Sequence, residues 1–220
     1  MNAPAAPSAR TQVKRLPARG VYDRAAIHSI LDATFICHLG FQAPEGYPVV
    51  IPTAFGRDGE RVFVHGSAAS HMLRSLREGI EVCLTATLVD GLVLARSVFH
   101  HSMNYRSVMV YGRATAVTDP DAKLHGLEVV SNQIAPGRWA ATRQPSPQEL
   151  KATLVLELPL AEASAKVRTG PPGDEEADYA LPIWAGVVPI TTVYGRPEPD
   201  PRLTAGIPQP VPLLGNRPIG

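Results

Sequence analysis

Apolar and polar residues alternate along most of this chain, and the alternation breaks at glycine, proline and Asp-Gly pairs. Period two marks a strand with one buried face. FICHLGF and YPVVIPTAF read as two strands joined by QAPEG, and GRDGE reads as a hairpin turn into a third strand, RVFVHG. Asp58-Gly59 supplies the left-handed positions of that turn. IEVCLTATLV, LVLARSVFH, YRSVMVYGRATAVT, TLVLELPL, ASAKVRTG and WAGVVPITTVYG read as further strands, with Asp90-Gly91 as a second turn.

Elsewhere the period lengthens to that of a helix. DRAAIHSILDAT has Asp23 as N-cap and Ile27, Ile30 and Leu31 on one face. ASHMLRSLREG carries Met72, Leu73 and Leu76 on one face and stops at Gly79. Asp119-Pro120 opens a helix through Ile134, and Ser146, Pro147 and Glu149 have capping-box spacing. Strands arrive in succession and helices are inserted among them. That order argues against a doubly wound parallel sheet and for an antiparallel barrel with helical insertions, mainly β in class.

Composition narrows the functions. Of 220 residues, 45% are hydrophobic and 19% charged, the balance of a globular domain with its own core. Lys and Arg number 21 against 20 Asp and Glu, a formal net charge of +1, so charge gives no reason to expect a nucleic-acid or membrane partner. No apolar run reaches the ~20 residues of a membrane span, and the N-terminal stretch has no signal-peptide core; a cytoplasmic protein is the expectation. Cys37 and Cys83 have neither disulfide-framework nor zinc spacing and read as buried, reduced thiols. Prolines cluster at both ends. Residues 1–20 therefore read as a mobile arm, 21–196 as one domain and 197–220 as a proline-rich tail.

Three stretches concentrate chemistry. His65, Gly66, Ser67, Ser70 and His71 lie where a strand runs into a helix N-terminus, small and polar enough for an anion to touch backbone N–H groups; Ser67 as a plain helix cap is the competing reading. Between two strands, RSVFHHSMNYRS packs Arg96, Ser97, His100, His101, Asn104, Arg106 and Ser107 together. Adjacent histidines in an extended chain face opposite ways, so His100 and His101 form no metal clamp, and no metal site is expected. Trp184, followed by Ala185-Gly186, puts a flat indole beside uncluttered backbone; an interior tryptophan at a barrel seam is the alternative. His38, mid-strand, is read as facing a site, His28 and His125 as surface residues, and Asp174, Glu175, Glu176 and Asp178 as a solvated loop.

Taken in order, FICHLGF…VVIPTAFGRDGERVFVHGSAASHMLRSL, then HHSMNYRSVMVYGRA, then KVRTGPP…DYALPIWAGVVPI resemble the pyridoxamine 5′-phosphate oxidase-related flavin-binding proteins, on the nitroimidazole-resistance-like branch. The resemblance implies a split β-barrel and a homodimer that binds FMN at two sites in the subunit interface. It implies Pro52, Thr53 and Ala54 beside the flavin ring, the 65–71 junction on the phosphate, Asn104, Arg106 and Ser107 reaching across the interface, and Trp184 near the ring. Where the oxidases grip phosphate with Arg and Lys, this chain has Ser70 and His71, with Arg74 or Arg96 as further charge. The oxidases' residues for pyridoxal phosphate have no counterpart here. The implied function is an FMN-dependent oxidoreductase of a small molecule (a nitroaromatic, a quinone or a pyridoxine-like compound), with His38 and His101 as candidates to meet it. The alternative is a non-catalytic dimer that binds or sequesters flavin or haem, with His38, His100 or His101 as axial ligand.

Overall fold

A computed structural model describes residues 4–67 and 79–209. Among the described residues there are nine strands: β1 (Gly20–Val21), β2 (Ile36–Gln42), β3 (Pro48–Asp58), β4 (Arg61–Ser67), β5 (Ile80–Leu94), β6 (Ser102–Ala116), β7 (Thr153–Pro159), β8 (Glu162–Arg168) and β9 (Gly186–Pro189). The helices are α1 (Arg24–Asp32), α2 (Pro120–Ile134) and α3 (Pro147–Ala152). The helix expected over 68–78 lies outside the described residues; Gly79, just beyond it, has φ of 76°.

The pairings close a ring. β2 pairs with β3, β3 with β4, β4 with β7, β7 with β6, β6 with β5 and β5 with β2, all antiparallel. Two strands make the corners. β3 leaves β2 after Ala54 and joins β4 from Phe55, and β6 touches β7 only at Thr115 and Ala116. The result is the split β-barrel that the sequence implied, with β8 and β1 added beside β6 and β9 beside β5.

Alternation sorts each strand into an inner and an outer set. Cys37, Leu39, Phe55, Val62, Val64, Leu84, Val108, Val110 and Leu156 fill the barrel. Helix α1 contributes Ile27, Ile30 and Leu31 to the same core, and burying each such side chain contributes roughly 1.5–3 kcal/mol. Caps act locally and form as read: the Asp23 carboxylate accepts from Ala26 N at 2.9 Å, that of Asp119 from Ala122 N at 2.8 Å, and Ser146 with Glu149 completes a capping box.

Outside the barrel, α2 lies over β3, β4 and β7. Phe63, Val130 and Val155 form a second small core there. Gly56 makes the close approach possible: a Cβ at that position would stand 2.6 Å from the Val129 carbonyl oxygen.

Four expectations are corrected. Asp90-Gly91 is no turn: β5 runs through it, and the register against β6 shifts between Val89 and Gly91, a bulge. Gly91 serves a close strand contact instead, since a Cβ there would lie 3.0 Å from Val188 O. The last strand is only the four residues of β9, which leaves Trp184 outside it. Cys83 is half-exposed on the outer surface of the barrel, whereas Cys37 is buried. Asp174 belongs to no solvated loop: its side chain has 0% exposure.

Candidate functional site

The register of β3, β2, β5, β6 and β8 sets side chains in rows across the outer surface. One row reads Pro52, His38, Thr85, Met109, Ser164, and the next reads Val50, Gly40, Cys83, Tyr111, Glu162. No helix covers this surface among the described residues. Ile36, Val50, Val89, Leu92, Met103, Met109 and Val188 are all exposed on it, Val50 to 65%. The small residues Gly40, Thr85, Thr87 and Ser107 leave it low and flat. A broad surface with apolar edges and a floor of small groups suits a planar ring and a second protein surface.

The sequence candidates divide over this geometry. Pro52 and His38 pair directly on the exposed surface, and Ala54 pairs with Ile36 at its border. Thr53 pairs with buried Cys37 and so belongs to the opposite face. Ser107 is on the outer surface, with its hydroxyl donating to Lys166 O at 3.3 Å. Asn104 and Arg106 occupy the other set of β6 positions. Asn104 is buried, donates to Gly170 O at 3.1 Å and accepts from Arg168. Arg106 holds Asp90 through two hydrogen bonds of 2.7 and 2.9 Å. That hydrogen-bonded carboxylate, against some desolvation, raises the guanidinium pKa further.

Arg96 and Ser97 are tied to Asp174. Its carboxylate accepts from Arg96 N at 2.9 Å, from Ser97 N at 3.3 Å and from the Arg96 guanidinium at 3.1 Å. Burial pushes the Asp174 pKa up, but the Ser97 and Arg96 donors outweigh it and leave the carboxyl below its usual range. Arg96 also stacks over Tyr179, 4.9 Å from the ring centroid. This clasp fixes a tight turn that projects Val98 and Phe99 into solvent. His100 sits 3.6 Å from Glu175, and His101 Nδ1 accepts from Ala95 N at 3.2 Å. Trp184 is 66% exposed, so it is no interior seam residue. Its indole packs against Gly186, where a Cβ would stand 3.0 Å from Cζ2.

At the junction, His65 is half-buried on β4 and its Nδ1 is enclosed with no hydrogen-bond partner. Burial lowers its pKa. Gly66 and Ser67 close the strand in pairing with Leu154 and Thr153. Ser70, His71 and Arg74 lie outside the described residues. Among the described residues, no group of three or more His, Cys, Asp and Glu side chains is placed to hold a metal ion. No helix among them is long and apolar enough to cross a membrane.

Sequence reasoning missed the N-terminal segment. Within the stretch read as a mobile arm, Ser8 donates to Glu162, Arg10 meets Glu81 at 3.0 Å, Thr11 is 2% exposed, and Val13 N donates to the Tyr22 hydroxyl at 2.8 Å. The segment crosses β6 and β8 and encloses a small cavity of about 190 Å³ over Ser107, Met109 and Lys166. The Arg10 guanidinium lies over the Tyr111 ring, 5.4 Å from its centroid. These contacts join residues far apart in sequence, so no local pattern announces them.

No curated protein matches the chain. Among solved structures, the flavocytochrome Anf3 from Azotobacter vinelandii is 44% identical, with 99% of this chain and 100% of that one covered and a TM-score of 0.90. The FAD and haem binding protein from Mycobacterium smegmatis is 37% identical over 88% of this chain and 94% of that one, with a TM-score of 0.83. A candidate 5-nitroimidazole antibiotic resistance protein from Bacteroides thetaiotaomicron shares the fold at 24% identity, over 67% of this chain and 86% of that one, with a TM-score of 0.57. A family model described as pyridoxamine 5′-phosphate oxidase matches residues 23–167, the whole barrel through β7 and nearly all of β8, and the chain belongs to that family.

Proposed function

We propose that this protein is a homodimeric redox protein that binds a flavin on the outer surface of β2, β3, β5 and β6 and carries a haem as second group. The observation that carries this reading is the similarity, over nearly the whole chain, to a flavocytochrome and to an FAD and haem binding protein. The residues fit a flavin where they are described. Pro52 and His38 make a flat pair, and the neighbouring Gly40, Thr85 and Thr87 leave a ring unobstructed. The exposed apolar positions around them give a second copy an area to cover, and covering it excludes water from the ring. FAD becomes the favoured flavin over the FMN expected from sequence, on the similarity to the Mycobacterium smegmatis protein.

Bound flavin supplies hydride and single-electron chemistry, and haem supplies single-electron transfer. The chain orients and tunes. His38 offers an exposed imidazole on the ring surface, able to donate to an anionic or nitro-bearing substrate. The Asp174 clasp holds Arg96 and the Val98-Phe99 turn in one position. An oxidoreductase acting on a small molecule follows from such a site; a carrier without turnover is the other outcome of the test.

The test is an absorption spectrum of the purified protein, release and mass identification of each chromophore, and then reduction and re-oxidation against a panel of quinones and nitroaromatics. Released FAD and haem, with re-oxidation by an acceptor, are expected. Protein that binds neither group from solution contradicts the reading.

A further inference from the structure

The segment that crosses β6 and β8 ahead of β1 is a fixed strap. Its first turn is closed by Thr11, whose N–H and hydroxyl donate to Ser8 O at 3.3 and 3.0 Å while the hydroxyl accepts from Ser8 N at 3.1 Å. Arg10 reaches Glu81 at 3.0 Å and Glu162 at 3.7 Å, and Val13 N is tied to the Tyr22 hydroxyl at 2.8 Å. Beneath the strap, Ser107 pairs with Lys166 and Met109 with Ser164, so these alternate positions share the outer face of the two strands. Between strap and strands is the cavity of about 190 Å³. It is smaller than the ~300–1,000 Å³ of cavities that enclose large ligands. At ~30 Å³ per water molecule, it has room for a tetrahedral oxyanion and a small organic group.

The charged residues that line it are Arg10, Lys14, Arg15 and Lys166, all cations. The carboxylates of Glu81 and Glu162 are both engaged by Arg10. Lys14, Arg15 and Lys166 have no ion pair among the described residues. On the floor, Ser164 is 6% exposed, yet its hydroxyl has no hydrogen bond among the described residues. Unlike the enclosed His65 Nδ1, the Ser164 oxygen is not sealed in protein, and the residue lines the cavity. A buried hydroxyl without an acceptor is costly, and an acceptor entering the cavity recovers that cost. An oxyanion supplies acceptor oxygens and also answers the unpaired cations.

We propose that this cavity binds the phosphoryl group of a small phosphorylated compound, with Ser164 donating from the floor and Lys14, Arg15 and Lys166 supplying the charge. The site is built from the strap, β6 and β8 alone, and it requires neither the flavin nor the haem proposed above.

The test is calorimetric titration of the full-length, flavin-loaded protein with inorganic phosphate in low-salt, phosphate-free buffer, with thermal unfolding in parallel. Wild type is expected to bind phosphate saturably, one per chain, and to unfold at a higher temperature when it is present. Ser164→Ala removes the unpartnered hydroxyl and should fold at least as stably without phosphate. It should bind phosphate roughly 10-fold or more weakly, as expected for a hydrogen bond to a charged group. Lys166→Met, which keeps the length of the side chain, should weaken binding to a similar degree. Lys151→Met removes an exposed cation from α3 and should leave binding unchanged. Absence of saturable binding in wild type overturns the proposal. So does wild-type affinity in both Ser164→Ala and Lys166→Met, or an equal loss in Lys151→Met, which would mark general charge attraction. Binding that appears only after flavin is removed would assign the cavity to the flavin and overturns a separate site.

Discussion

On one side of the barrel, α2 lies so close to β3 and β4 that Gly56 meets helix backbone and Gly126 meets Phe63 and Val155. On the other side, β2, β5 and β6 carry a comparable share of apolar residues, from Ile36 and Val50 to Met103 and Val188, with no helix laid over them among the described residues. Both surfaces come from the same two-residue alternation, and β3 contributes to each. The difference is in what finishes them. The first is completed within the chain by a helix that Gly56 of β3 lets approach to backbone contact and that Gly126 lets settle on Phe63 and Val155. The second is the surface on which the proposed function places a flat ligand and a second copy. Stability is therefore concentrated on the α2 side and in the barrel core, and the function proposed above belongs to the open side.

The largest effect is expected where the covered side is tightest. Gly56→Ala places a methyl group 2.6 Å from the Val129 carbonyl oxygen and should cost about 3 kcal/mol, at the upper end for overpacking. Gly173→Ala, with open space around it, should change little. Urea unfolding of the pair measures the contrast, and equal midpoints would show that α2 yields freely.

A smaller, local effect is expected at the clasp. Asp174 has a lowered pKa in the folded protein, so its contribution is complete above the unfolded carboxyl value of about 3.9 and is lost as pH falls through the lower folded value. Asp174→Asn should remove that acid-side loss and loosen the Val98-Phe99 turn. Thermal unfolding from neutral to acid pH, with proteolysis at the turn, checks both; an unaltered pH profile would assign the acid sensitivity elsewhere.

The smallest effect concerns the two thiols. Burial pushes Cys37 up to about 12, and it should react only on unfolding. Cys83 stands on the open surface. It should be alkylated in dilute, monomeric protein and protected in the assembled dimer, as peptide mass mapping across a concentration series would show. Equal labelling at all concentrations would place the dimer contact elsewhere.

The barrel and its caps were legible because alternation and capping are local. Asp23, Asp119 and Ser146 each needed only the next three residues. Asp90-Gly91 misled for the same reason: a turn-forming pair was overruled by β6 on one side and β9 on the other, which carry β5 through it as a bulge. Asp174 read as solvated because its partners, Arg96 and Ser97, are over seventy residues away. Of the candidate residues, His38 was read from its place in mid-strand and Pro52 came with the resemblance; the structure pairs the two on the exposed surface. The orphaned His65 ring emerges only when the end of α2 and the 139–149 segment come together around it.

The most direct test of the central claim is sedimentation velocity of wild type and Val50→Lys, recorded at both the protein and the flavin bands. Val50 is exposed and outside the core, so the variant should fold. The account predicts that wild type sediments as a dimer with flavin in the same boundary, and that Val50→Lys sediments as a folded monomer depleted of flavin. A Val50→Lys protein that remains a flavin-loaded dimer would contradict it.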